Sequence, residues 1–478
     1  MSENTEVKYR NIPSPTDTDK LAFQFATQPK FLHDPGRLGD AGSKLIHWQQ
    51  DFFLWREGYY VPISKVYIRK MVAHFLMCFN MEIHLQRLDL NLITINSNKI
   101  SAILECVAAH CNVDETTLLN SWIKSDRTGH YIAVKNGVLN LNNPEKIELL
   151  DPTPLYLTFS CLPYDYDPAA TCEEWLKFLS EIMQGNAEYI RLLQQWCGYL
   201  LRPDLDEHKF LLCTGEGANG KGVFFKITTA VMGRKNVSNV PLCRFHEKFS
   251  LAATYGKLVN MMSESSQSIE EDAETLLKAF TVGDDMQFEK KNRDPFEATP
   301  TSKIMISTND RPRFADKSMA IWRRILLVIF GVQIPEELWD KKLTENLKKT
   351  LPGILNWFIA GLVDLNKNGF IKPAGTKELI EEYRQDADPC RAFLFENYRE
   401  LNDEDCPIDE GIQASILYSD YKKYCIEGGF KPLNCRNFGK EIKRIFPMVD
   451  GYKKRLHGNK IAGITEVVRF YKGIAKCE

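Results

Sequence analysis

"KFLLCTGEGANGKGVFFKITTAVMG", residues 209–233, is the stretch on which the fold turns. Its first six residues are a short apolar run bounded by polar ones, which predicts a buried strand. Glycines follow at 215, 217 and 220, then Lys221, then apolar residues at helical spacing. In a strand, glycine-rich turn and helix, backbone N–H groups turn inward around phosphate and the helix N-terminus adds positive potential. The lysine reaches the β and γ oxygens. The candidate cradle is Gly215, Glu216, Gly217, Ala218, Asn219, Gly220, Lys221, Gly222 and Val223. Gly222 stands where such loops usually carry the hydroxyl that binds Mg²⁺, so the expectation is a phosphate cradle with a weakened grip on metal.

Working outward, "KLVNMMS" (257–263), "KIMIST" (303–308), "RILLVIF" (324–330) and the shorter "NVSNV" (236–240) predict four more strands, separated by helical stretches. Such alternation indicates a largely parallel α/β sheet. The strand ends carry polar residues. Glu264 could orient Mg²⁺ and polarise an attacking water, and Asn309 could contact a γ-phosphate or that water. Arg323 and Arg324 open the last strand, where an arginine could reach a neighbouring subunit's γ-phosphate, which makes sense only in an oligomer.

Toward the N-terminus, "HWQQDFFLWREGYYVPIS" (47–64) predicts a hairpin turning at Glu57-Gly58, and "GHYIAVKNGVLNLNN" (129–143) another turning at Asn136-Gly137. Residues 69–80 and 99–111 have helical periodicity, and 172–204 read as one or two amphipathic helices. Beyond the sheet, 337–370 are helical, interrupted at Pro352. Residues 378–410 hold twelve acidic and three basic side chains, whereas 412–478 hold fourteen basic and six acidic ones. That asymmetry suggests a separate basic C-terminal domain, since a formal net charge of -2 suggests no partner for the chain as a whole. The polar N-terminus, the lack of a membrane-length apolar run and thirteen cysteines without a CxxC pair predict a soluble, cytoplasmic protein. Cys106, His110 and Cys111 are read as core thiols and a neighbouring histidine rather than half a zinc site.

With these residues in place, the sequence resembles the helicase portion of the phage, plasmid and poxvirus primase–helicases, within superfamily 3 of the AAA+ ATPases. "VKNGVLNL", "LPYDYDPAA" and "LLQQWCGYLL" resemble that family's lead-in, "GEGANGKGVF" its Walker A and "GKLVNMMSE" its Walker B ending at Glu264. "KIMISTND" is similar to its sensor 1 with Asn309, and "AIWRRILLVIF" to its arginine-finger segment, with Arg324 preferred over Arg323. "LPGILNWFIAGL" resembles its helical lid, and "ILYSDYKKYCIEGGFKPLNCRNFGKEIKRIF" its winged-helix domain.

The resemblance implies an α/β fold: an AAA+ P-loop core, an N-terminal α/β and helical collar region, and a C-terminal winged-helix domain. The expected divisions are a flexible tail (1–19), N-terminal α/β domain (20–165), helical collar (166–205), superfamily 3 core (206–335), lid (336–372) and winged helix (373–478). It implies ATP and Mg²⁺ as cofactors, single-stranded and forked DNA as partners, and a homo-oligomer, expected to be a hexamer. Lys290, Lys291 and Arg293, at the polar tip of "MQFEKKNRDPFE", are then DNA contacts, as are Arg436, Lys440, Lys443 and Arg444 on a recognition helix and Lys453, Lys454 and Arg455 on a wing. No primase or polymerase segment is recognisable ahead of this portion, so the chain is expected to be a stand-alone helicase or part of a longer primase–helicase that works with one. The competing reading is a DNA-binding initiator or regulator switched by ATP without unwinding, which Gly222 favours slightly. A small-molecule kinase using the same loop fits poorly with the arginine pair and the basic C-terminus.

Overall fold

Five parallel strands form the central sheet in the computed structural model: β1 (Phe210–Thr214), β2 (Val237–Ser238), β3 (Val259–Ser263), β4 (Lys303–Thr308) and β5 (Ile325–Ile329). Their spatial order is β2-β3-β4-β1-β5, so each predicted strand is present and the chain order reverses beside β1. Every residue of β1 is buried, as expected of a central strand covered on both faces. Structure is described for residues 13–27, 44–88, 90–114, 116–263, 269, 271–309, 311–312, 314, 319–401, 411–430, 432–457 and 465–477. The side chains of 338, 385–387, 455–457 and 465–466 are not among those described.

Helix α1 (Lys221–Met232) packs on the sheet with the helices Glu173–Ile182, Ala187–Tyr199 and Leu351–Asn368, and together they hold the main apolar core. Trp175 stacks on Phe224 of α1 with ring centroids 5.8 Å apart, and its edge meets Trp357 of the last helix at 5.7 Å. Arg191 donates to both carboxylate oxygens of Asp364, at 2.7 and 2.6 Å, joining the helices before and after the sheet. Those bonds hold the Asp364 carboxyl down at about 2. The helical stretch is interrupted ahead of Pro352, as expected: Leu343–Leu347 ends, a 3₁₀ turn covers Lys348–Thr350, and a new helix starts at Leu351. The proline lies in the first turn of that helix, where a missing N–H costs no hydrogen bond.

The N-terminal region supplies a three-stranded antiparallel meander, Leu45–Trp48, Asp51–Arg56 and Tyr59–Ile63, with the expected turn at Glu57-Gly58 and a second one at Gln49-Gln50. The other hairpin turns one residue earlier than expected, at Lys135-Asn136, because Val134 pairs with Gly137. Gly137 belongs inside the strand for a steric reason: a Cβ there would fall 2.2 Å from the Leu150 carbonyl of the adjoining strand.

By its contacts the chain divides into two units, the larger comprising 1–266, 272–310 and 324–373 and the smaller 267–271, 311–323 and 374–478. In the smaller unit, helices Ala414–Glu427 and Cys435–Ile445 are followed by an antiparallel hairpin, Asp450–His457 with Thr465–Lys472. Tyr421 and Phe438 stack at 4.3 Å in its core.

One cation lies deep in the larger unit. Lys303, at the start of β4, donates to the Arg202 carbonyl and lies 4.9 Å from the centre of the Tyr199 ring. Burial pushes its pKa down to about 7. The neutral form is favoured in the fold and the protonated form in the unfolded chain, so this group's contribution to stability rises with pH above about 7 until free lysine also deprotonates. We expect Lys303→Met to flatten the rise of unfolding free energy between about pH 7 and 10, by up to roughly 1.4 kcal/mol per pH unit, as read by denaturant unfolding. Parallel wild-type and mutant pH profiles would show that Lys303 does not titrate in this window.

Candidate functional site

The turn between β1 and α1 is built from its ends inward. Gly215 has φ 153°, and a Cβ there would lie 2.3 Å from the Phe330 carbonyl. Gly220 has φ 82°, and a Cβ there would meet Ile182 Cγ2 at 2.5 Å. The glycines are therefore required by close packing as well as by backbone conformation. Asn219, almost wholly buried, ties the loop together. Its Nδ2 donates to the Glu216 carbonyl at 2.8 Å and the Phe330 carbonyl at 3.2 Å, while its Oδ1 accepts from the Lys221 amide at 3.3 Å. Ile334 N–H donates to the Ala218 carbonyl at 2.8 Å, and Gln333 bonds Glu216 at 3.0 Å. Gly217 and Gly222 are open: nothing lies within 4 Å of a Cβ at either.

Lys221 is only 6% exposed. Its ammonium donates to the Gly215 carbonyl and, at 3.3 Å, to Asn309 Oδ1. Burial lowers its pKa. The meeting of Lys221 and Asn309, 88 residues apart, follows from sheet register, because Thr214 pairs with Thr308 and the next residue of each strand begins its loop. Ser263 pairs with Ser307, one row before that pair. Three loops thus leave one edge of the sheet, at the carboxyl ends of the strands beside the reversal, which is where open α/β sheets bind ligands. Glu264 follows Ser263 in sequence and lies outside the described residues. Among the described residues no cluster of three or more His, Cys, Asp or Glu side chains is placed to hold a metal.

The two arginines separate. Arg324 is 8% exposed, and its carbonyl accepts from Phe210 N–H at 2.9 Å, so it enters the sheet ladder. Arg323 is exposed and follows the short helix Met319–Trp322.

The basic residues fall into two sets. Met286–Phe288 and Phe296–Ala298 form the expected antiparallel hairpin. At its tip Lys291 is exposed, Arg293 is paired with Asp51, and the Lys290 ammonium lies 5.0 Å from the Phe296 ring centre. In the smaller unit Arg436, Lys440 and Lys443 are exposed along Cys435–Ile445, and Lys453 and Lys454 are exposed on the following hairpin. Arg444 is engaged within the fold, at 2.7 Å from both Asp388 and Glu441. Arg455 lies on the hairpin strand, but its side chain is not described.

Sequence reasoning missed the clamp formed by residues 330–334 and the packing of Ile182 against Gly220. The clamp segment carries no motif, and the second contact joins residues 38 positions apart through packing alone.

Comparison with known proteins agrees with this architecture. A model described as D5 N terminal like matches residues 64–184, a family of unknown function matches 213–324, and one described as Poxvirus D5 protein-like matches 385–462. A candidate helicase of Acanthamoeba polyphaga mimivirus is 22% identical over 358 residues, 69% of this chain. The chain spans 36% of that relative's length. Two apo structures of the NrS-1 C-terminal region are similar in fold, each with a TM-score of 0.50 and 13% identity. One covers 96% of this chain and 98% of its own, the other 89% and 95%. No described helix is long and apolar enough to cross a membrane. The D5-type matches on either side of the core and the viral relative support membership of the phage and viral primase–helicase family, and the two solved structures share the chain's fold.

Proposed function

We propose that the chain is an ATP-hydrolysing DNA helicase of a virus or mobile element, acting as a ring, expected to be a hexamer, on single-stranded and forked DNA during replication. The observation that carries the reading is the contact between Lys221 and Asn309 at the carboxyl edge of the sheet. A glycine-rich loop opening a helix and a sensor side chain touching its lysine suit hydrolysis of a bound nucleotide. The strand order β5-β1-β4-β3-β2 supports an AAA+ core, and the helix, helix and hairpin succession of the smaller unit supports a winged helix.

The residues present fit ATP. Loop amides from 217 to 223 and the Lys221 ammonium would hold the phosphates, and Asn309 would orient the γ-phosphate or attacking water. Mg²⁺ binds through phosphates, waters and one or two carboxylates, so a single acid such as Glu264 suffices without a protein cage. When bound, the metal neutralises charge on the β and γ oxygens. Of the two arginines we assign the trans-acting role to Arg323, since its side chain is exposed and Arg324 is buried. Arg436, Lys440, Lys443, Lys453 and Lys454 would supply phosphate contacts from the smaller unit, and a separate primase or polymerase would be the working partner.

Gly222 keeps the ATP-switched initiator open as the second reading. Because a side chain there meets nothing, Gly222→Ser adds a hard oxygen ligand without steric cost. The variant is expected to reach half-maximal ATP turnover at lower Mg²⁺. Superimposable Mg²⁺ titrations would show that the metal is held elsewhere. The proposal as a whole is tested by ATP hydrolysis with and without single-stranded DNA, followed by strand displacement on a forked duplex. Hydrolysis and displacement together are expected. Hydrolysis and DNA binding without displacement would favour the switch, and no hydrolysis under any of these conditions would overturn the enzyme.

A further inference from the structure

A cleft of about 910 Å³ opens within the larger unit, and no residue of the phosphate loop lines it. One wall is the N-terminal meander and the residue leading from it, contributing Tyr59 and Lys65. The other is the core, contributing Tyr255, Lys257 and the hairpin tip, with Lys235 reaching across to within 3.4 Å of the Tyr59 hydroxyl. The lining holds five basic side chains and only two acidic ones, in a chain whose formal net charge is -2. One of those acids, Asp51, is already paired with Arg293. Burial lowers the pKa of both Lys257 and Lys290; Lys257 donates to the Lys235 carbonyl, and Asp51, shared with Arg293, is the carboxylate acting on Lys290.

Aromatic rings share the cleft with the charge. Tyr255 packs edge-on against Phe296 at 5.0 Å, and Lys290 stands over that pair. At the mouth, Gln49 and Gln50 both hold positive φ, 46° and 64°, and Gln49 lies 3.4 Å from the Tyr255 hydroxyl. Two consecutive left-handed residues usually call for Asn-Gly, and glutamines there hold a sparsely populated conformation. Strain of this kind tends to accumulate where side chains must be aimed at a ligand.

We infer that this cleft is a binding site for a short run of single-stranded nucleic acid, with phosphates toward Lys65 and Lys235 and bases against Tyr59 and Tyr255. A phosphodiester supplies the missing anions and a base supplies a face for the rings, the pairing by which single strands are bound with little sequence preference. A duplex keeps its bases stacked and offers the rings no free face. The inference rests on the reading of the hairpin as a DNA grip, and extends it into a track shared with the N-terminal region.

The experiment is fluorescence anisotropy of a labelled oligothymidylate with the full chain over a range of salt. Lys65→Ala with Lys235→Ala removes two exposed lysines from outside the hairpin. This variant is expected to weaken binding at least about tenfold and to flatten the log–log salt slope by roughly 1.4, two contacts' worth. Tyr59→Ala is expected to weaken binding by about 5- to 150-fold with the slope unchanged, as lost stacking would. Melting temperatures establish that the variants fold. If the Lys290→Ala and Lys291→Ala change weakens binding while the Lys65 and Lys235 change alters neither affinity nor slope, the cleft is refuted and the hairpin stands. The opposite pattern would overturn the shared track, because the hairpin tip is part of the cleft's lining. A blunt duplex bound as tightly as the single strand, and weakened equally by these variants, would overturn the single-strand assignment. Photocrosslinking of a 5-iodouracil oligonucleotide to the wild-type chain needs no variant. Adducts at Tyr59 or Tyr255 support the site, and adducts confined to residues 374–478 overturn it.

Discussion

Lys221→Ala is expected to lower ATP turnover by at least about 100-fold, the scale on which removal of one preorganised charge-stabilising donor acts. The side chain is almost wholly buried, and its ammonium joins the Gly215 carbonyl to Asn309. Its loss leaves charge on the transferred phosphoryl group without its nearest cation and leaves Asn309 without the partner that now positions it. Lys221→Met keeps most of the aliphatic stem and is expected to lose turnover equally, which separates charge from packing. The measurement is steady-state phosphate release, with melting temperature as the control for folding. Wild-type turnover in either variant would remove the loop from the mechanism. The pH dependence has a definite sign. Burial lowers the Lys221 pKa, whereas a bound triphosphate would raise it again. Nucleotide binding would therefore take up a proton on the alkaline side, and ATP affinity is expected to weaken as pH climbs through the lowered pKa.

The parts of this site that could be read from sequence are those set by local chemistry. Short apolar runs between polar residues marked all five strands, and β4 spans the residues expected. Glycine and lysine spacing marked the loop because backbone conformation there leaves little choice. What could not be read was set by residues distant in the chain. The hairpin at 135–136 is displaced by one residue because the neighbouring strand, not the turn, demands a glycine at 137. Arg323 and Arg324 are indistinguishable as a pair of letters. Only the first ladder bond of β5, from Phe210 to the Arg324 carbonyl, decides that one is drawn into the sheet and the other left exposed. Arg444 fits a recognition-helix pattern and stays exposed, yet its guanidinium is paired with Asp388, 56 residues away. The same long-range assembly makes the cleft, whose two walls are separated by some 200 residues.

The hairpin provides the second large effect. It lies between β3 and β4, and β4 ends one residue before Asn309, so the tip is linked through one strand to the side chain that touches Lys221. Phe288 and Phe296, the last pair before the tip, stack at 5.7 Å and tie the two arms together there. Lys291 is exposed at the tip, and Lys290 is held over the Phe296 ring, whereas Arg293 already pairs with Asp51. Lysine, not arginine, is therefore the residue to remove. Lys290→Ala with Lys291→Ala is expected to bring the stimulation of ATP turnover by single-stranded DNA close to one and to abolish displacement on a forked duplex. The salt slope of single-strand binding should flatten by roughly 1.4 if both lysines contact phosphate, at about 0.7 each. Some DNA affinity should persist, because Lys440, Lys443 and Lys453 are exposed on separate elements of the smaller unit. That residue of binding makes the test sharp: a chain that still holds DNA but no longer moves it has lost the coupling, not the substrate. Forked-duplex unwinding at the wild-type rate would show that the tip is a solvated turn, and that any motor grips its strand elsewhere.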